Sequence, residues 1–176
     1  MTKSRQVADG LALISTTALS GTSTTVSSIP STYKHLFIVV RGVYQNSANN
    51  GMRMTINGDS GSNYYWSVYR NANGSATFSG STSATYVDNV LPSNPASNTN
   101  VLLLGQAVIN LYRYTDSSFV TGDLRSISGN DASPTFTYTT AGNFTYKNTA
   151  AVTSFALNTA SAATFTGGTI YLYGVN

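Results

Sequence analysis

The chain has no cysteine and no glutamate among its 176 residues, only four prolines, and a charged fraction of 9%, against about 25% in an ordinary globular domain. Each shortage excludes something. Without cysteine there is no disulfide, no zinc finger and no thiol nucleophile, so packing alone must hold the fold. Without glutamate and with few Lys or Arg, the usual exposed residues of surface helices are missing, and no segment carries a convincing helical period of apolar residues. No stretch approaches the ~20 apolar residues that span a bilayer. MTKSRQVADG lacks the apolar core of a signal peptide, so the expectation is a product made in the cytoplasm with no membrane anchor. Nine Lys and Arg against six acids, all Asp, give a net charge of +3, but the cations are scattered from Lys3 to Lys147. Phosphate binding needs cations together, so nucleic acid is not an expected partner.

What the chain does have is Ser, Thr and Asn around short apolar runs, with twelve tyrosines and one tryptophan. Residues 1–10 are polar and hold Lys3 and Arg5; they read as an N-terminal arm. Residues 11–176 read as one domain, within the size a single core can serve. Strand-like segments recur at 11–19, 24–29, 35–44, 51–57, 64–70, 84–91, 101–112, 117–127, 151–158 and 168–175, each followed by a turn signal such as Ser-Gly, Asn-Gly or Leu-Pro. Spacing of about 8 to 12 residues without intervening helices is the signature of an all-β sandwich or barrel. HLFIVV (35–40) is apolar throughout and predicts a central strand covered on both faces. GMRMTI alternates, and the Asn-Asn-Gly before it predicts that the two strands are antiparallel neighbours. The segment 91–100 reads as a crossing connection of the Greek-key or jelly-roll kind, and 129–148 as an extended loop or irregular hairpin. The terminal GGTIYLYGVN places alternating rings and aliphatics where chains usually fray, which predicts a paired closing strand.

Chemistry has little to work with. A glycosidase needs two opposed carboxylates, and Asp59, Asp116 and Asp131 sit in turn-like contexts where Asp bonds its own backbone. The single histidine, His35, opens an apolar strand, which suits a strand cap better than a catalytic relay. Asn57, Asp59, Ser62 and Asn63 in NGDSGSNYY could offer oxygens to calcium, but one carboxylate is too few for an ion that takes six to eight hard ligands; an Asx turn is the expectation, with no metal or cofactor. Tyr65, Trp66 and Tyr69 form the densest aromatic run and are candidates for an adhesive surface. At least half of the Tyr and Trp side chains are expected in cross-strand pairs with the polar end at the rim.

In order, LALISTTALSGTSTTVSSIPSTYKHLFIVVRG, TINGDSGSNYYW, VINLYRYTD, AVTSFALN and GGTIYLYGVN resemble modules of virion proteins of tailed bacteriophages, especially tail-fibre and capsid-surface proteins. The resemblance rests on three features: a proline followed by tyrosine and an apolar strand (Ile29 to Leu36), Asn-Gly-Asp followed by Asn-Tyr (Asn57 to Tyr64), and a final Leu-Tyr-Gly (Leu172 to Gly174). It implies a jelly-roll-like antiparallel β-sandwich, usually a homotrimer, displayed on the particle. Sheet edges guarded by few charges independently favour assembly. The expected function is a capsid decoration, or cement, protein that binds and stabilises the outer shell, with the major capsid protein as partner and the arm at Lys3 and Arg5 as an attachment segment. The alternative is a tail-fibre or receptor-binding module gripping host glycans through Tyr65, Trp66 and Tyr69. An enzyme acting on polysaccharide is not expected.

Overall fold

Thr, Val, Tyr and Phe on alternate positions suit a pleated surface buried on one side, and they form strands throughout. The computed structural model describes residues 10–47, 51–92, 105–130 and 133–176. Twelve strands and no helix occur among them: β1 (Leu11–Ala18), β2 (Ser23–Val26), β3 (His35–Gln45), β4 (Met52–Ile56), β5 (Tyr64–Ala72), β6 (Ser75–Ala84), β7 (Val87–Leu91), β8 (Gly105–Tyr112), β9 (Val120–Asn130), β10 (Ser133–Tyr146), β11 (Phe155–Thr159) and β12 (Phe165–Val175). They build an eight-stranded sheet, in the order β1-β12-β3-β8-β9-β10-β5-β6, and a four-stranded sheet, β2-β11-β4-β7. Every ladder is antiparallel. The protein is therefore an antiparallel β-sandwich.

Its topology is that of a jelly roll with an extension. Eight strands form two facing sets of four, β1-β12-β3-β8 and β2-β11-β4-β7, and the chain visits them in jelly-roll order. The other four arrive as two insertions, β5-β6 between β4 and β7 and β9-β10 between β8 and β11. Together they widen the large sheet beyond β8.

The core lies between the sheets. Leu36, Ile38 and Val40 of β3, Ile109 and Leu111 of β8, and Ile170 and Leu172 of β12 face Met52, Met54, Ile56, Phe155 and Leu157 of the small sheet, all fully or nearly fully buried. Under the extension, Tyr64, Trp66, Val68, Phe144 and Tyr146 continue the core, covered by β7, which packs against β5, β9 and β10. GGTIYLYGVN forms most of β12, held between β1 and β3 up to Val175. Gly174 has a specific reason: a Cβ there would lie 2.2 Å from the Tyr33 ring, which takes that space.

Three expectations need correction. β3 and β4 are not neighbours; they lie in opposite sheets and face each other across the core. Asn49 and Asn50 lie outside the described residues, and the apolar alternation on either side of them serves two strands facing across a sandwich as well as two neighbours in one sheet. β3 is central, between β12 and β8, but only one face is fully buried: Phe37 and Val39 are half-exposed on the outer side. Finally, of the two readings of 129–148 the loop is wrong: most of it is β10, which pairs antiparallel with the preceding β9 with a register shift between Ser133 and Thr137, and which also pairs with β5 from Tyr138 to Tyr146. Part of the segment 91–100 and the start of 101–112 lie outside the described residues.

Candidate functional site: the outer face of the large sheet

No described element covers the outer face of the eight-stranded sheet, so its character follows from the alternate residues each strand turns away from the core. The registers place these residues in rows. One row runs Leu13, Tyr173, Phe37, Asn110, Asp123, Asn143, Ser67 from β1 to β5. A second runs Leu11, Val175, His35, Tyr112, Thr121, Thr145, Tyr65. A third runs Tyr171, Val39, Val108, Arg125, Ala141, Tyr69, Phe78. The rows divide the face in two: over β1-β12-β3 they are mostly apolar, with His35 among them and Arg41 exposed further along β3, and beyond β8 the face is polar with tyrosines at its margins.

The apolar part leaves Leu11 50% and Leu13 58% exposed. Phe37 and Tyr173 are in ring contact there, with centroids 6.1 Å apart.

The polar part centres on Asp123. Its Oδ1 accepts a hydrogen bond from Asn110 Nδ2 at 2.9 Å, and its Oδ2 accepts one from the Tyr112 hydroxyl. That bond, more than burial, raises the Tyr112 phenol above its ordinary value, so Tyr112 stays a donor. Asp123 lies beside Asn143 on β10. A depression of about 660 Å³ opens here, lined by Val108, Asn110, Asp123, Arg125, Ala141 and Asn143, with Leu124 and Gly142 also contributing. At the neighbouring end of the face, the His35 ring meets Tyr112 edge-on at 5.7 Å, and His35 Nδ1 accepts from the Arg113 backbone N–H, the strand-cap role expected for it.

Of the aromatic run singled out in the sequence, Tyr65 and Tyr69 stand on this face, 40% and 38% exposed, and Tyr69 packs against the exposed ring of Phe78. Trp66 is corrected: strand alternation sends it to the opposite face, where it is 7% exposed within the core, and it contributes no surface ring. Lys3 and Arg5 lie outside the described residues. Asn110, Tyr112, Asp123 and Asn143 were missed as site residues. Asn110 and Tyr112 carry a signal in the alternation of VINLY, which puts them on one side of a strand, but their meeting with Asp123 and Asn143 depends on registers between strands.

The other described carboxylates serve structure. Asp59 closes the expected Asx turn, accepting from Gly61 N–H at 2.7 Å and Asn63 Nδ2 at 2.9 Å. Asp88 pairs with Arg53 at 3.2 Å and Asp116 with Arg113. No group of three or more metal-ligating side chains occurs among the described residues. No protein-family model, curated protein or solved structure matches the chain.

Proposed function

We propose that this protein is a non-enzymatic structural component of a tailed-phage particle: a decoration protein that assembles as a homotrimer on the outer surface of the capsid shell and stabilises it. The observation that carries this reading is the apolar portion of the large sheet's outer face around Leu11, Leu13, Phe37 and Tyr173, on a face whose charged side chains are few. The resemblance of the sequence to virion modules supplies the particle. Lys3 and Arg5 supply an attachment arm for a more acidic shell protein. Production in the host cytoplasm followed by display on the virion fits this reading.

The test is to image intact particles with a label on this chain. Many copies over the shell are expected, with lower occupancy after deletion of residues 1–10; a few copies at the tail would replace this reading with the tail-fibre one. That second reading is favoured by one observation, the exposed Tyr65 and Tyr69 beside a polar row.

A further inference from the structure

We infer that the depression between β8, β9 and β10 on the outer face is a binding site for a neutral saccharide, with Asp123 and Asn143 as its hydrogen-bonding residues.

The donor and acceptor inventory points to hydroxyl groups. A carboxylate offers about four lone-pair positions; Asn110 and Tyr112 occupy one on each oxygen of Asp123, which fixes the carboxylate and leaves it able to accept from two further donors. Adjacent sugar hydroxyls present such a donor pair. Asn143 is exposed, its side chain bonds no other described residue, and it offers an acceptor and two donors directly beside Asp123. The remaining lining suits the other side of a sugar. Val108 and Ala141 provide a small apolar surface for ring C–H groups. Tyr69 is the register partner of Ala141 and stands at the margin as a ring on which a second residue can stack.

Charge selects among ligands. The depression carries one carboxylate, Asp123, and one guanidinium, Arg125, a sum of zero. Phosphate-rich ligands need several cations together, and Asp123 would repel an anion entering beside it. The volume of about 660 Å³ falls within the range of small-ligand sites. This inference does not rest on shell attachment, because the polar part lies beyond β8, away from the apolar part assigned to assembly.

The full chain would be screened on an array of neutral and sialylated oligosaccharides, then titrated with methyl glucoside, methyl galactoside and methyl mannoside by ligand-observed NMR. Binding to neutral glycans is expected, weakened about tenfold by Asn143→Ala and by at least as much by Asp123→Asn. Asn143 is exposed and its substitution leaves the core untouched; Asp123→Asn keeps an acceptor for Asn110 and a donor for Tyr112, and circular dichroism would check both folds. Absence of binding to any neutral glycan up to roughly millimolar concentration, binding confined to sialylated glycans, or binding undiminished in both variants would each overturn the site. Particle imaging is read separately: sugar binding by a chain absent from particles defeats the decoration reading alone, and shell decoration by a chain that binds no sugar defeats this site alone.

Discussion

Asp59 shows how one residue in a neutral chain can join distant parts of the fold. Besides closing its own turn, its Oδ2 accepts from the Tyr146 hydroxyl at 2.9 Å, 87 residues away, and its carbonyl oxygen accepts from Tyr64 at 2.9 Å. The two tyrosine rings stack at 5.1 Å. Removing the carboxylate by Asp59→Ala leaves a buried phenol without its acceptor, a loss expected to cost about 1–3 kcal/mol in a denaturant titration. Hydrogen bonds from Asn63 and Gly61 hold the Asp59 carboxyl below its ordinary 3.8. A lowered folded-state value stabilises the fold above the ordinary value and ceases to do so as pH falls through the lower one. The stability gap between wild type and Asp59→Ala is therefore expected to narrow below pH about 4. At the alkaline end, burial raises Tyr64 to about 12, and burial followed by the bond to Asp59 raises Tyr146 as well. Their stabilisation is complete below the ordinary value of 10.0 and is lost as pH rises toward the raised values. Tyrosinate absorbance should show these two ionising well above the ordinary value of 10.0 while the protein is folded; ionisation of both near pH 10 in the folded protein would refute the network. The Asx turn was legible in NGDSGSN because it is local. Its tyrosine partners were not, because nothing near Asp59 points to residue 146.

At the scale of elements, the strands visible in the sequence were those with a dense run of apolar residues; the missed ones, β6 and β10, are dominated by Ser, Thr and Gly, although β10 turns Phe144 and Tyr146 into the core. β6 is an edge strand of small polar residues that are nearly all exposed, and it has no apolar pattern to read. β10 was hidden by its glycine and its many threonines, which resemble loop composition. Yet Gly142 is a place where β5 comes close: a Cβ there would lie 2.3 Å from the Ser67 carbonyl oxygen. Glycine within a strand can mark such close approach as well as a turn. Gly122 on β9 is the strongest instance. A Cβ there would fall 2.3 Å from the Asn110 carbonyl oxygen and 2.3 Å from Phe144, whose ring fills the space above it from the paired strand. Gly122→Ala is expected to destabilise the fold by roughly 3 kcal/mol, about 6–12 °C in Tm for a chain of this size. Gly10→Ala, where a Cβ meets nothing within 4 Å, is the control and should leave Tm unchanged. Equal effects of the two substitutions would show that β9 and β10 do not pack this way. Which sheet each strand joins was also beyond the sequence. β3 and β4 both alternate toward a core, and the same pattern serves two neighbours in one sheet or two strands facing across a sandwich.

For the whole molecule, the widened sheet gives a chain with few charges both a broad exposed face and a large core. The jelly-roll half fills the sandwich and leaves Leu11, Leu13, Phe37 and Tyr173 at one end of the outer face; the inserted half adds polar groups and exposed tyrosines at the other. β1 is also an edge strand with no charged side chain along its length, so nothing on it opposes pairing with another copy. Assembly through this end would remove from water the 58% of Leu13 that is exposed, a gain of roughly 1–2 kcal/mol in each subunit. Leu13→Lys is therefore expected to convert the assembled protein to monomer in light scattering at micromolar concentration, with an unchanged far-ultraviolet circular dichroism spectrum because the side chain lies outside the core. Phe78→Lys, at the far end of the same face and 81% exposed, should leave the assembly intact, which separates a located interface from general stickiness. A wild-type chain that is already monomeric would defeat self-assembly outright, whereas equal disruption by both substitutions would defeat its placement at β1.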